Sequence, residues 1–515
     1  MSNKTSSGGL KTGAIGLYAV LFMAIANAAP ITAMSFNVPI AIGYGNGIGA
    51  SAGYLFATIV LTIFTIGFVA MARYITTAGT FYGFISHGLG QVTGMAMGLL
   101  ATVAYVIFEG AIIGGFSYFA SDTINSLFGI SINWLIIAIL GMLLIWVLTY
   151  FDIRLTAVVL SVTLVCEVLI LGALGLSVLF KGGGPDGLMF NEIVPILPGF
   201  ANLEAGAFGT GVAQGTAAVG LFFAFWSWVG YETTAVYGEE SRDPKTIIPK
   251  ATLIAVVGLG LFYTFLSWMV VAGTGAKAAV EVYAGAAPVD LWLNLVKSNL
   301  GSGTVPVYRL LLVVGSFACA MAFHNAASRY LYALGRELPS GKIRNSIGTT
   351  HPDHQSPVAA STVVTALNVL MVVSFAFFTN VYIEGVATPA LIPYVNIYGV
   401  PSLVGTAMIL IVQTVCSFAV VSYFWIKKVH TGNVVTTLIA PLLGAAGMLY
   451  ALYLLVTNLT FAAGLASGSL TVKLLPWYVI VTFLLGIGYA LWLKSKHPSV
   501  FAEVGRTVFK ESHER

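Results

Sequence analysis

The stretch FFAFWSWVGYETT, residues 222–234, is apolar up to Val229 and then sets Gly230 beside the polar pair Tyr231 and Glu232. Glycine lowers the cost of leaving the helical conformation, so a long apolar helix can unwind here. A second stretch, MAIANAAPITAMSF, residues 23–36, has Asn27 and Pro30 in the middle of an equally apolar run. Proline lacks the amide donor that an interior helical turn requires. Taken singly, Pro30 is explained by a kink and Gly230 by close helix packing, since both residue types are common in membrane helices. As a pair, the two breaks fall five apolar runs apart, and that spacing predicts the fold.

The composition around them is that of a membrane protein. Of 515 residues, 58% are hydrophobic and only 8% charged, against roughly 25% charged in a soluble domain. The net charge of +4 is small and scattered, which excludes the clustered basic face of a nucleic-acid binder. Cys166, Cys319 and Cys416 lie in separate apolar runs with no CxxC or Cys/His spacing, so they read as packing residues and not as a disulfide framework or a metal site. No cofactor is called for.

Hydropathy, with charges and Gly/Pro/Asn clusters as punctuation, predicts twelve spans, at about 14–42, 51–76, 93–120, 134–150, 154–180, 213–237, 250–274, 306–334, 358–381, 394–425, 434–457 and 475–494. Each reaches or approaches the ~20 residues that cross a bilayer as a helix. The runs are continuously apolar, whereas a barrel strand alternates. Ala26, Asn27 and Ala28 resemble a signal-cleavage site, but the apolar run continues to Ile42, too long for the ~7–15 residues of a signal core. With the amino terminus inside, Lys4, Lys11, Arg73, Arg154, Arg242, Lys245, Lys250, Arg329, Arg336, Lys342, Arg344, Lys427, Lys428, Lys494, Lys496, Arg506, Lys510 and Arg515 fall inside. Lys181, Lys277, Lys297, Arg309 and Lys473 fall outside. That asymmetry obeys the positive-inside rule and predicts cytoplasmic termini in a multi-pass protein of the cell membrane.

The predicted organisation is a cytoplasmic tail (1–12), a first repeat of five helices (13–182), a second of five (183–428), two further helices (429–494) and a second cytoplasmic tail (495–515). The longest connections, about 181–212 and 275–305, are outer lids or spacers at best. In an inverted repeat the two broken helices lie antiparallel at mid-membrane, where freed N–H groups hold a carboxylate and freed carbonyls an ammonium or cation. The site expected from this is Asn27, Ala28, Ala29, Pro30 and Ile31 at the first break, with Phe225, Trp226, Ser227, Trp228 and Gly230 at the second.

The segment GYETTAVYGEESRDPKTIIPKAT, residues 230–252, closely resembles the signature of the amino acid–polyamine–organocation (APC) permeases. In that signature a Gly-aromatic-Glu (Gly230, Tyr231, Glu232) is followed by Glu240, an Asx-Pro step (Asp243, Pro244) and Pro249 ahead of the seventh helix. ARYITTAGTFYGFISHGLGQVTG, residues 72–94, and ASRYLYALGRELPS, residues 327–340, match the loop after span 2 and the end of span 8 in the same family. The resemblance implies a five-plus-five inverted repeat of the LeuT class and secondary transport of an amino acid or amine by alternating access. One departure is the Gly-Ser/Ala-Gly triplet frequent at the first break, which is replaced here by Asn27-Ala28-Ala29-Pro30. In the charged loop, Glu239, Glu240, Arg242 and Lys245 read as gate ion pairs or as a solvated face.

Three carboxylates lie inside predicted spans: Glu109, Glu167 and Glu232. Each costs ~2.5–3.5 kcal/mol on insertion scales and so needs a partner, a proton or a watery cavity. By the resemblance, Glu109 falls at the substrate-facing level of span 3, and Glu167 at a place where several proton-coupled relatives carry a lysine. Glu109 is thus a candidate for the substrate ammonium, with Tyr105 one turn before it. Glu167, Glu232 and His324 are candidates for proton coupling or gating, and a structural hydrogen bond is the plain alternative for each. Trp226 is placed by the motif register as an aromatic wall for an ammonium. These residues predict a proton-linked carrier or exchanger of an amino acid, cationic substrates being favoured. The alternatives are a polyamine or monoamine carrier, an inorganic-cation carrier on the same scaffold, and sodium in place of the proton. No catalytic motif supports an enzyme, and oligomeric state leaves no trace in the sequence.

Overall fold

The computed structural model describes residues 9–151, 153–190, 217–279, 289–383 and 385–505. These residues are almost wholly helical. The helices of the bundle are α1 (Leu17–Ala28), α2 (Pro30–Ile40), α3 (Ala50–Ala72), α4 (Thr80–Leu89), α5 (Gln91–Phe128), α6 (Trp134–Tyr150), α7 (Ile153–Phe180), α8 (Ala217–Trp226), α9 (Pro244–Thr274), α10 (Val305–Arg336), α11 (Val358–Phe378), α12 (Val400–Val421), α13 (Ala440–Thr457) and α14 (Leu475–Lys496); a further helix, Asp290–Leu300, lies in the connection between α9 and α10, with shorter turns elsewhere. A hairpin of two short strands, Tyr382–Ile383 with Val386–Ala387, follows α11.

Among the described residues ten helical stretches are long and apolar enough to cross a membrane. The predicted fourth span is a 17-residue apolar helix, α6. The sixth is the 10-residue α8 followed by a turn and a 3-10 segment, Tyr231–Glu240. The residues directly before α8 lie outside the described ones, so ten is a count of the described stretches alone. The expected spans nonetheless correspond to described elements, with α1 and α2 forming the first, α3 the second, and α5, α7, α9, α10, α11, α12, α13 and α14 the third, fifth and seventh to twelfth. The seventh starts earlier than expected. Pro244 takes the first helical position, where its missing N–H costs nothing, and Pro249 lies inside α9 close to its start.

Leu10 packs with Ala78, Tyr332, Ala333 and Ala360, and Val504 with Tyr82, Met95 and Leu493. Both described ends thus lie on one face, here the terminal face. Lys4, Arg506, Lys510 and Arg515, and most of the predicted 181–212 outer loop, lie outside the described residues. The core is the bundle interior, where α5, α10 and the two broken elements meet. The residues exposed on the periphery are largely Leu, Val, Ile and Phe, as on Leu169 and Val162 of α7 or Leu484 and Leu485 of α14, which suits a surface solvated by lipid.

Candidate functional site

At the first break α1 stops at Ala28 and Ala29 adopts a left-handed conformation, φ 45°, ψ 74°. For a residue with a Cβ this costs about 1–2 kcal/mol. Its N–H turns back to the carbonyls of Ile25 and Ala26, each at 3.1 Å. α2 then starts at Pro30, and the next donor, the Ile31 N–H, goes to Glu167 Oε2 at 3.0 Å. The carbonyls released by the break are covered: the Tyr263 hydroxyl donates to Ala28 O at 3.0 Å and the Cys319 thiol to Asn27 O at 3.3 Å.

At the second break α8 ends at Trp226 and the chain turns through Gly230, φ 113°, ψ −21°. Only glycine adopts that conformation readily, and a Cβ there would also meet Asn27 at 3.0 Å. Glu232 folds back onto this turn. Its Oε2 accepts the Gly230 N–H at 3.0 Å, and its Oε1 accepts the Tyr105 hydroxyl at 2.8 Å. The breaks are joined directly by Asn27 Nδ2 donating to Thr233 Oγ1 at 3.1 Å and by Asn37 Nδ2 donating to Ser227 Oγ at 2.9 Å.

A cavity opens where they meet. The first broken element contributes Asn27, Ala28, Ala29, Thr32, Ala33 and Asn37, and the second contributes Trp226, Ser227 and Val229. α5 adds Phe108 and Ile112, α10 adds Cys319 and Phe323, and the segment before α12 adds Tyr398. Its free space, about 20 Å³, is enough for one water molecule and not for an amino acid. The walls must part for a substrate to enter.

The expected residues divide. Asn27, Ala28, Ala29, Trp226 and Ser227 line the cavity. Pro30, Ile31 and Gly230 shape the breaks without lining it. Phe225 is buried elsewhere, and Trp228 packs on Tyr263 at 5.1 Å and Tyr54 at 5.8 Å, toward α9 and α3. Glu109 does not face the cavity as expected. It turns to α10, where Oε1 lies 2.8 Å from His324 Nδ1, while His324 Nε2 lies 2.7 Å from Ser361 Oγ on α11. Tyr105 is engaged by Glu232 and is also outside the lining. None of the three buried carboxylates lines the cavity, which removes the physical reason for favouring a cationic substrate. Thr32, Ala33, Asn37, Phe108, Ile112, Val229, Cys319, Phe323 and Tyr398 also line it and were not anticipated. Val229 could have been found from its place inside the second break.

Both approaches to the cavity are blocked. On the terminal face, Glu239 and Glu240 are paired with arginines of α10, and both are buried. Arg329 grips Glu240 through two bonds of 2.6 and 2.9 Å, and Arg336 grips Glu239 through two of 2.7 and 3.1 Å. Glu239 also accepts the Ala78 N–H at 2.9 Å. The Ile15 N–H bonds Glu240 O, and the Arg242 N–H bonds Ile15 O, which ties the entry to α1 across the same face. Toward the opposite face, Phe36 stacks on Tyr398 at 4.2 Å and on Tyr394 at 4.8 Å, and Tyr398 lies against Trp226 at 5.2 Å.

Residues 15–485 match the family described as amino acid permease. The branched-chain amino acid permease BcaP of Bacillus subtilis (strain 168) is 23% identical over 146 residues, a match that takes in 28% of this chain and 29% of BcaP. Among solved structures, the crystal structure of MhsT in complex with L-phenylalanine superposes with a TM-score of 0.54 at 15% identity, over 86% of this chain and 100% of that one. The superposition bears on the fold, and it agrees with the LeuT-class arrangement implied by the sequence.

Proposed function

We propose that this chain, which belongs to the amino acid permease family and is a multi-pass secondary transporter of amino acids, carries a neutral amino acid with an apolar side chain. The carrying observation is the cavity lining: Phe108, Ile112, Trp226, Val229 and Phe323 surround it and no ionised side chain does. A second positive charge on the substrate would lack a partner at a depth where an unpaired charge is costly. The backbone-bearing end of the substrate has partners. Asn27 Oδ1 is buried with no partner among the described residues and suits an ammonium. The first turn of α2, reaching the cavity at Thr32, suits a carboxylate through its N-terminal dipole. The branched-chain substrate in the name of BcaP and the L-phenylalanine bound to MhsT are of the same apolar class.

Transport proceeds by alternating access, the two barriers opening in turn, with proton coupling or exchange as the driving mode and both termini cytoplasmic in the cell membrane. The proposed site is Asn27, Ala28, Ala29, Thr32, Trp226 and Ser227 with the apolar wall. The test is uptake of radiolabelled L-leucine, L-phenylalanine, L-lysine and putrescine into proteoliposomes. L-leucine or L-phenylalanine is expected to be taken up, and Asn27→Ala to weaken that uptake about tenfold, the loss of roughly one charge-assisted hydrogen bond. Selective uptake of L-lysine or putrescine overturns the reading.

A further inference from the structure

Directly behind the cavity wall lies a buried ionisable pair that the substrate reading does not use. Phe108 and Phe323 line the cavity and stack on each other at 5.1 Å, 14° from parallel. The next residue along each helix is Glu109 and His324, and these two are joined at 2.8 Å. α5 and α10 are therefore bridged by two adjacent rungs, one aromatic and facing the substrate space, one ionisable and facing away from it. Both members of the ionisable rung are fully buried. Its far side continues through Ser361 Oγ, 2.7 Å from His324 Nε2, to Thr149 Oγ1 at 3.4 Å. Thr149 is the penultimate residue of α6, and its neighbour Tyr150 bonds His351 on the terminal face.

We infer that Glu109, His324 and Ser361 form a proton-binding site whose occupancy is linked to the Phe108–Phe323 wall of the cavity. The proton balance is simple. With His324 neutral, Nδ1–H donates to the Glu109 carboxylate, Nε2 accepts from the Ser361 hydroxyl, and the cluster carries one negative charge. One proton added at Nε2 makes the imidazolium, which donates at both nitrogens while the Ser361 hydroxyl turns to accept, and the cluster becomes neutral. Neither state breaks a hydrogen bond, because a hydroxyl serves as donor or acceptor. A second position is available at Glu109 Oε2, which is buried with no partner among the described residues.

Charged and titratable groups surround the cluster at one remove: Arg329 bonds Asn325, next to His324, and is itself paired with Glu240, α7 packed on α10 carries Cys166 and Glu167, and α4 packed on α5 carries Tyr82 and His87. α11 carries no acid or base and presents Ser361 and Asn368. α6 contributes only Tyr150. α12 and the segment before it carry Tyr394, Tyr398 and Cys416, and α14 carries Tyr478 and Tyr489, with Lys494 and Lys496 at its terminal-face end. Another carboxylate, Glu232, is held by Tyr105 one turn from Glu109, and Tyr105 lies 5.2 Å from Tyr330 of α10. Proton occupancy therefore changes the attraction between α5 and α10 at the rung beside the cavity. The proton-binding half of this inference stands by itself. The coupling half rests on the carrier reading above.

The test separates the two. Acid-minus-alkaline infrared difference spectra of the purified full chain in lipid nanodiscs should contain a histidine-ring and carboxylate signal that is lost in both Glu109→Gln and His324→Gln. If that signal survives unchanged in either variant, the proton site is refuted, whatever the substrate. In proteoliposomes a one-unit inward acid gradient should raise wild-type L-leucine accumulation about tenfold when one proton accompanies each substrate. Glu109→Gln and His324→Gln should keep L-leucine exchange at equal pH while their gradient response falls to about one. A full gradient response in both variants, or none in the wild type, removes the coupling. If no amino acid is exchanged at all, the carrier reading fails while the infrared result still decides the proton site. The melting temperature of each variant identifies a misfolded protein, and Ser361→Ala, which removes only the Nε2 partner, is the third arm, expected to shift the histidine signal without abolishing it.

Discussion

Pro30 takes one donor out of the first break, Ala29 turns its own back onto α1, and the Ile31 N–H is left pointing into the protein, where Glu167 receives it at 3.0 Å. The fit is close. A Cβ on Gly315 would lie 2.6 Å from Ile31 Cγ2 and 2.7 Å from Glu167 Oε1, so glycine is what allows α10 to approach. Glu167→Ala should lower stability by about 1–3 kcal/mol, the cost of a buried N–H left without an acceptor, whereas Glu167→Gln keeps an oxygen at the same place and should retain most of it. Thermal unfolding of the two purified variants checks this, and equal losses would mean that the hydrogen bond is not what holds Glu167 there. The residue scale also shows where reading a sequence stops. An intramembrane carboxylate marks Glu109 and Glu167 as needing partners, but one residue along a helix is a rotation of about 100°. That rotation decides whether Phe108 or Glu109 faces the cavity, and no local signal carries it.

Elements were more legible than the side chains they position. Apolar runs bounded by charges placed most of the long helices, because a bilayer imposes length and composition on each one, but α5 runs on to Phe128, α9 starts at Pro244, and α4 forms within a stretch read as a loop. The breaks were legible because Pro30 and Gly230 alter the backbone itself. The partners of Glu239 and Glu240 were not, since the arginines lie 97 and 89 residues away on α10 and the nearer Arg242 and Lys245 offered plausible pairs. These contacts join the chain after the second break to α10 and close the terminal face. Arg329→Ala alone should destabilise the protein by about 3–5 kcal/mol, because it leaves Glu240 buried and unpaired. Neutralising both, Arg329→Gln with Glu240→Gln, avoids the orphaned charge and should chiefly loosen the barrier. Cys319, buried in the cavity wall, reports the difference: with Cys166 and Cys416 changed to serine, its rate of modification by a small membrane-impermeant thiol reagent applied from the terminal face should rise in the double variant. An unchanged rate would show that the ion pairs do not bar the route.

For the whole molecule, a cavity shut on two sides is a carrier's defining state only if the barriers are independent, so that either opens while the other holds. Their chemistry suggests that they are. The terminal-face barrier is ionic and backbone-mediated, made of Arg329, Arg336, Glu239, Glu240 and the strand-like bridge between Ile15 and Ser241. The opposite barrier is aromatic, made of Phe36 of α2 between Tyr394 and Tyr398. Both act on the same broken elements, since Phe36 follows the first break, Glu239 and Glu240 follow the second, and Asn27 with Thr233 ties the two together between them. Phe36→Ala should expose Cys319 to reagent from the opposite face only, as the Arg329→Gln, Glu240→Gln pair should from the terminal face only, and each should still accumulate substrate in proteoliposomes. Combining all three substitutions should abolish accumulation against a gradient while leaving downhill flux, because both barriers are then weak at once and the site is reachable from both sides. If the triple variant accumulates substrate as well as the wild type, these two sets of contacts are not the barriers, and closure must reside elsewhere in the bundle.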